Sequence, residues 1–479
     1  MISTFRTLPG TETLANLPAL PDAKKVDDLL LQELQQFPHK IIVLDDDPTG
    51  VQTVHGVSVY TDWTTESIEV GFNEEQSMFF ILTNSRGFTS EETRKVHEDI
   101  AAAIQQVSNQ LQQPFILISR GDSTLRGHYP LETDVLRQTL ERQSGTHFDG
   151  EVLMPFFQEG GRYTIEDVHY VLEDETLVPA GQTEFAKDRT FGYSASHLGE
   201  WAEEKSDGAF IADQVVSLSL TDLRELQIDR LVAQLMTVQD FNKIVINATD
   251  YLDVKVATIA LIRAMNAGKR FLFRTAAAFT KIIGGISHRP LLTKTELVSD
   301  PTHGGLIMIG SHVKKTTEQL EALKTCDFIH FIEFNVHLVL SPDAFQEEIN
   351  RIILQTEQLI ESGQTVAVYT KRERLDLGDN QQENELKLSI QISDAVTSIV
   401  TRLRVRPSYI IAKGGITSSD IGTTGLQVKR ATVAGQIKPG IPVWITGEES
   451  KFPRLTYVIF PGNVGSKTTL KEVAETLHT

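Results

Sequence analysis

Short runs of consecutive apolar residues punctuate this chain, and between them apolar positions recur every three to four residues, the patterns of buried strand and amphipathic helix. The first clear run is Lys40 to Leu44, whose four successive aliphatic residues suit a strand covered on both faces. Further strands are expected at Met78 to Leu82, Phe115 to Ser119, Glu151 to Met154, Lys243 to Ile246 and Arg270 to Phe273. Helices such as Ser90 to Gln110 and Leu220 to Val238 fall between them. Strands alternating with helices predict a largely parallel sheet, and such sheets bind ligands at the carboxyl ends of their strands.

The rhythm stops between Ser287 and His303, where Pro290, Pro301 and polar residues favour neither helix nor strand. It restarts with strands at Leu306 to Ile309, Phe328 to Glu333, Thr365 to Tyr369, Tyr409 to Ala412 and Tyr457 to Phe460, and helices at Thr316 to Leu323, Ser341 to Ser362 and Leu386 to Leu403. The expected organisation is an N-terminal arm and helix at 1–38, a first α/β domain at 39–286, a linker at 287–303 and a second α/β domain at 304–479. Both sheets are expected to be largely parallel, with an active-site cleft between the domains. The length of 479 residues agrees with two domains, because single cores rarely grow past roughly 250 to 300 residues.

Composition narrows the function classes. The formal net charge is -19 and no long basic run appears, which argues against a nucleic-acid partner. No apolar run approaches the roughly 20 residues that cross a bilayer, and the N-terminus lacks a basic segment followed by an apolar one. The single cysteine, Cys326, excludes an intrachain disulfide and reads as a core residue. A cytoplasmic protein without membrane attachment is expected.

Polar chemistry collects at the expected strand ends. Asp45-Asp46-Asp47-Pro48-Thr49-Gly50 packs three carboxylates together, an arrangement normally retained where a cation or a proton-transfer role offsets their repulsion. A solvated turn opening a helix at Pro48 is the structural alternative. Ser119 to His128 holds Arg120, Asp122, Ser123, Thr124 and Arg126, a set suited to a hydroxylated anion because guanidinium grips carboxylate through two parallel bonds. Helix capping by Asp122 or Ser123 is the alternative there. Thr83 to Arg86 and Gln158 to Tyr163 are weaker clusters of the same kind, and His128 and His169 lack metal-ligand spacing.

The second half offers glycine turns instead. Gly310-Ser311, Gly414-Gly415-Ile416-Thr417 after Lys413, and Gly462-Asn463-Val464-Gly465 each follow an expected strand, where close backbone approach and outward N–H groups favour phosphate. The stretch ending Gly465-Ser466-Lys467-Thr468 is not a P-loop, because Ser466 separates the glycine from the lysine.

In this order and distribution the clusters resemble the four-carbon acid sugar kinase family. The similarity runs from about Lys40 to Lys467 and is carried by Asp46 to Gly50, Asp122 to Gly127, Arg274 to Phe279, Gly310-Ser311, Gly414 to Thr417 and Gly462 to Gly465. The resemblance implies an N-terminal domain for a tetronate-like acid, a C-terminal domain for ATP, and Mg²⁺-assisted transfer of the terminal phosphoryl group to the C4 hydroxyl of the acid. It implies Asp46, Asp47, Thr49, Arg86, Asp122, Ser123 and Arg126 around the acid, where Arg86 and Arg126 are expected to hold its carboxylate and Asp46 or Asp47, as the catalytic residue, to orient or deprotonate the attacking hydroxyl. Around the nucleotide it implies Ser311, Gly414, Gly415, Ile416, Thr417, Gly462 and Gly465. This chain carries Arg120, His128 and His312 where family members commonly have Lys, Asn, and Cys or Ser, and the arm at 1–38 has no counterpart in the family pattern.

A rival reading uses the same turn. Asp45, Asp47 and Thr49 have the Asp-x-Asp-x-Thr spacing of haloacid-dehalogenase-type phosphohydrolases. The downstream acid pair of that class is missing at Gly121-Asp122, where Arg126 follows, and Gly378-Asp379 with Glu383 lies in a polar stretch. A non-catalytic acid-sugar sensor keeping both binding sites is a third class.

Overall fold

The computed structural model describes residues 3–298, 301–373 and 382–478. The chain forms two compact units, Met1–His288 and Arg289–Thr479. The Gly378-Asp379 pair lies outside the described residues.

In the first unit parallel strands run in the order Val216–Leu218, Asn242–Ile246, Gly150–Met154, Phe271–Thr275, Phe115–Arg120, Lys40–Asp45, Met78–Leu82, Ser58–Tyr60. Lys40–Asp45 and Met78–Leu82 are buried along their whole length, as unbroken aliphatic runs require. Helix Ser90–Leu111 starts at a reciprocal cap between Thr89 and Glu92 and buries Ile100, Ile104 and Val107 with Ile42, Leu44 and Leu117 of the sheet. The single helix expected over Leu220 to Val238 is two, Leu220–Arg224 and Ile228–Thr237. Leu226 between them has φ 55°, a left-handed conformation that no helix continues through.

The N-terminal arm is built into this unit. Helix Ala23–Gln35 is capped by Asp22 and pairs with helix Tyr251–Asn266 through Asp27–Lys255 at 2.6 Å and Glu33–Arg263 at 2.8 Å. Leu8–Pro9 pairs with Thr176–Pro179 at the edge of an antiparallel sheet completed by Val168–Glu173 and Arg162–Ile165. The parallel-sheet reading missed that sheet.

In the second unit the order is Arg430–Lys438, Ile441–Thr446, Thr456–Phe460, Tyr409–Lys413, Leu306–Ile309, Thr365–Thr370, Ile329–Phe334. The first two pairings are antiparallel and the rest parallel. The stretch expected to lack regular structure contains a short helix, Lys294–Leu297, held by a reciprocal cap between Thr293 and Glu296. Leu292 just before it and its last residue, Leu297, enter the core of the second unit beside Ile307 and Val458. No helix among the described residues is long and apolar enough to cross a membrane.

Candidate functional site

In each unit the strand order reverses around the first strand of the parallel sheet. In the first, Met78–Leu82 flanks Lys40–Asp45 on one side and Phe115–Arg120 on the other, the switch point at which parallel sheets place ligands, above the carboxyl end of the strand. The Asp45 to Gly50 turn sits there. Arg86 grips Asp46 with Nε at 3.1 Å and Nη2 at 2.6 Å, and its Nη1 reaches Asp47 at 3.3 Å. Arg120, from the adjacent strand, lies 3.1 Å from Asp45 and 3.5 Å from Asp46. Arg126 donates Nε to Asp122 at 2.7 Å and stacks over Phe185.

Arg274 comes from the end of Phe271–Thr275 and donates to the Arg126 carbonyl at 3.2 Å. Two glycines make this density possible. A Cβ at Gly50 would stand 2.0 Å from the Asp45 carboxylate, and one at Gly121 would stand 1.5 Å from the Arg274 guanidinium.

The neighbouring acids acquire different protonation properties. Burial raises Asp45 to about 7 against the pull of Arg120. Burial also raises Asp46, opposed by Arg86 and Arg120. For Asp47 burial acts upward too, but Arg86 and the bonds from Thr49 outweigh it and hold the carboxyl below the usual range. Asp122 is likewise pushed up by burial and brought well down by Arg86 and Arg126. Asp47 is also the one of the three a ligand can touch, at 18% side-chain exposure against 2–3% for Asp45 and Asp46.

Thr49 supports Asp47 through its N–H at 2.8 Å and through its hydroxyl. Ser123 is buried, and its carbonyl accepts from His169 Nε2 at 2.8 Å. Burial lowers His169 to about 4, so it is a neutral packing residue. The structure therefore brings Asp46, Asp47, Thr49, Arg86, Asp122 and Arg126 into one network, with Ser123 in its supporting loop. Arg120, one of the polar residues of the Ser119 to His128 cluster, and Arg274, at the start of the Arg274 to Phe279 segment, were given no site role in the sequence and belong to the same network. Their signal was a cation at or next to the last position of a buried strand.

In the second unit the reversal falls at Leu306–Ile309, flanked by Thr365–Thr370 and Tyr409–Lys413. A Cβ at Gly310 would lie 2.4 Å from Thr417 Oγ1, and one at Gly414, where φ is 128°, would lie 3.1 Å from Ser311 Cβ. One at Gly462 would lie 3.7 Å from Ser311 Oγ. Ser311, Gly414, Thr417 and Gly462 thus converge, with Gly415 following Gly414 and Ile416 73% exposed beside them. Gly465 has a local reason as well, since a Cβ there would meet Thr469 at 2.7 Å. Arg372, absent from the sequence-based set, donates to the Ser311 carbonyl at 2.7 Å and to Thr317 at 2.9 Å.

Among the described residues no group of three or more His, Cys, Asp or Glu could hold a metal ion. The carboxylates of the first site already face guanidinium groups, and the converging turns of the second offer backbone and hydroxyl groups. These donors do not fit a dedicated protein cage for Mg²⁺.

Two family models match the chain, a sugar-binding N-terminal domain over residues 41–283 and a nucleotide-binding C-terminal domain over residues 306–470. The first site lies in the former and the second in the latter. A solved Haemophilus influenzae protein from a domain family of unknown function shares the fold with TM-score 0.62 and 17% identity, covering 91% of this chain and 100% of its own. A solved Salmonella typhimurium LT2 protein, provisionally described as a tRNA synthase, does so with TM-score 0.62 and 15% identity, covering 90% and 98%. No curated protein matches the chain. Nothing in these matches supports the phosphohydrolase reading.

Proposed function

The chain belongs to the four-carbon acid sugar kinase family, and on that premise we propose that it uses ATP to phosphorylate the C4 hydroxyl of a threonate, erythronate or 3-oxo-tetronate type of acid. The observation that carries this reading is the division of labour between the units. Paired arginines and aspartates line the site of the sugar-binding domain, while glycine turns converge in the nucleotide-binding domain.

Within the first site we assign separate roles to residues that the sequence left sharing one. Asp46 has both oxygens locked by Arg86 and is buried, so it holds the turn in shape. Asp47 is reachable and ionised, and it orients the attacking hydroxyl and accepts its proton. Arg86 directs three N–H groups at Asp46 and Asp47 and organises them. Arg126 commits Nε to Asp122, while its Nη1 stands 3.9 Å from Asp188, so its outer edge is the better holder of the substrate carboxylate.

In the second domain Ser311, Gly414 to Thr417 and Gly462 cradle the nucleotide phosphates. Mg²⁺ would belong to the MgATP substrate rather than to a protein cage, and would supply neutralisation of phosphate charge. Incubation with MgATP and a panel of tetronates should give ADP and a phosphorylated acid in equal amounts. Failure of every acid in the panel would sink the proposal.

A further inference from the structure

Lys243 and Lys413 are both wholly buried, but their surroundings differ. Lys243 in the first unit meets Glu151 at 2.5 Å. Lys413, the last residue of strand Tyr409–Lys413, has no carboxylate partner among the described residues. Its Nζ donates to the carbonyls of Pro461 and, at 3.0 Å, Gly462, and lies 4.2 Å from the centre of the Phe460 ring. A buried ammonium held only by neutral groups is costly, and such ions are normally paired. Its place, next to Gly414 and under the Gly462 turn, is where the second site converges.

The direction of these bonds has a geometric consequence. In a planar trans peptide the C=O and the following N–H point opposite ways. With the Pro461 and Gly462 carbonyls turned toward Lys413, the N–H groups of Gly462 and Asn463 turn away from it. Neither donates to a protein acceptor among the described residues. Two adjacent outward N–H groups form a concavity that binds anions. Thr316 adds a 3.4 Å bond to the same Gly462 carbonyl, and Gln319 holds the Val464 and Ser466 carbonyls at 3.0 and 2.8 Å. The turn is therefore braced from beneath.

We propose that Lys413 is the positioning cation of the nucleotide site: it pins the Pro461 and Gly462 carbonyls, presents the Gly462 and Asn463 N–H groups to a nucleotide phosphate, and receives its missing countercharge from that phosphate. This deepens the nucleotide reading and rests on it. Burial, and then Lys315 on helix Lys314–Leu323, lower Lys413 to about 7; Lys315 is the charged group acting on it from the elements packed around it. Near pH 8 the side chain of the unliganded protein is then largely neutral, and an arriving phosphate favours its charged form. Nucleotide binding should take up a proton at about pH 8 and almost none at about pH 6.

Calorimetry of ADP binding to the full chain, in two buffers of different protonation enthalpy, measures this uptake. Wild type should take up a large fraction of one proton at the higher pH. Lys413→Arg, charged throughout, should bind ADP without uptake. Lys413→Met should bind at least about tenfold more weakly, also without uptake. ADP binding by wild type with no uptake, or a folded Lys413→Met that binds as tightly as wild type, would overturn the role of Lys413 while leaving the nucleotide reading intact. Absence of any ADP binding by wild type would overturn both. Should Lys413→Met not fold, the uptake by wild type and its loss in Lys413→Arg decide the matter.

Discussion

The two units place their sites at the same point of a parallel sheet, where strand order reverses, and build them from opposite materials. The first is made of side chains, with Arg86, Arg120 and Arg126 facing Asp45, Asp46, Asp47 and Asp122 at bonding distance. The second is made largely of backbone, with glycines letting Ser311 and Thr417 close on their neighbours. A charged lattice can read the shape of a small hydroxylated acid, because each guanidinium and carboxylate has a direction. Backbone N–H groups suit phosphate, which carries the same charge whatever is attached to it. Deleting a charged side chain should therefore strike the first site, whereas the second, built largely from backbone, is reached chiefly by an added Cβ.

The largest effect should follow Arg86→Met. It removes three donors from Asp46 and Asp47 and leaves the two crowded carboxylates with Arg120 as the nearest remaining cation. Turnover should fall about 10³-fold, of the order expected when a group that orients the reacting centre is lost. ADP affinity, measured separately, should stay within about twofold of wild type. Turnover close to wild type would break the assignment of this network to catalysis.

Legibility differs between the units for the same reason. Met78–Leu82 and Leu306–Ile309 match the apolar runs end to end, because strands buried on both faces leave no alternation to misread. The hairpin joining Arg162–Ile165 to Val168–Glu173 was hidden, since its turn puts Glu166 and Asp167 at φ 49° and 64°, where Asn-Gly is the usual announcement. Residues in one contiguous turn, such as Asp46, Asp47 and Thr49, are visible as a cluster. Arg274 and Arg372 are not, and Arg120 was visible only in its own cluster without its partner Asp45, because these partners come from other strands and loops and the sheet order is not written locally. Lys413 was visible only as the residue before two glycines.

A smaller effect is expected from Gly414→Ala. At φ 128° and ψ 143° the backbone is in a region that L side chains enter at a cost of about 1–3 kcal/mol, and the new Cβ would press on Ser311 and Thr417. ADP affinity should drop about 10- to 100-fold with substrate-acid affinity preserved. Loss of acid binding with nucleotide binding intact would reverse the assignment of the two units.

The finest test is Thr49→Val, which keeps the shape of the side chain and deletes one hydroxyl. Asp47 would retain the Thr49 N–H at 2.8 Å and Arg86 at 3.3 Å, so the carboxylate stays in place. It loses one of the bonds that offset its burial, and its pKa should move up toward the ordinary carboxylate range. If ionised Asp47 accepts the proton of the attacking hydroxyl, turnover needs the deprotonated form and declines as pH falls through that pKa. Raising the pKa moves this acid limb to higher pH, while the rate well above it drops only about 3- to 10-fold, the worth of one hydrogen bond. A rate loss with an unmoved limb would leave Thr49 a packing residue and take the proton-accepting role from Asp47.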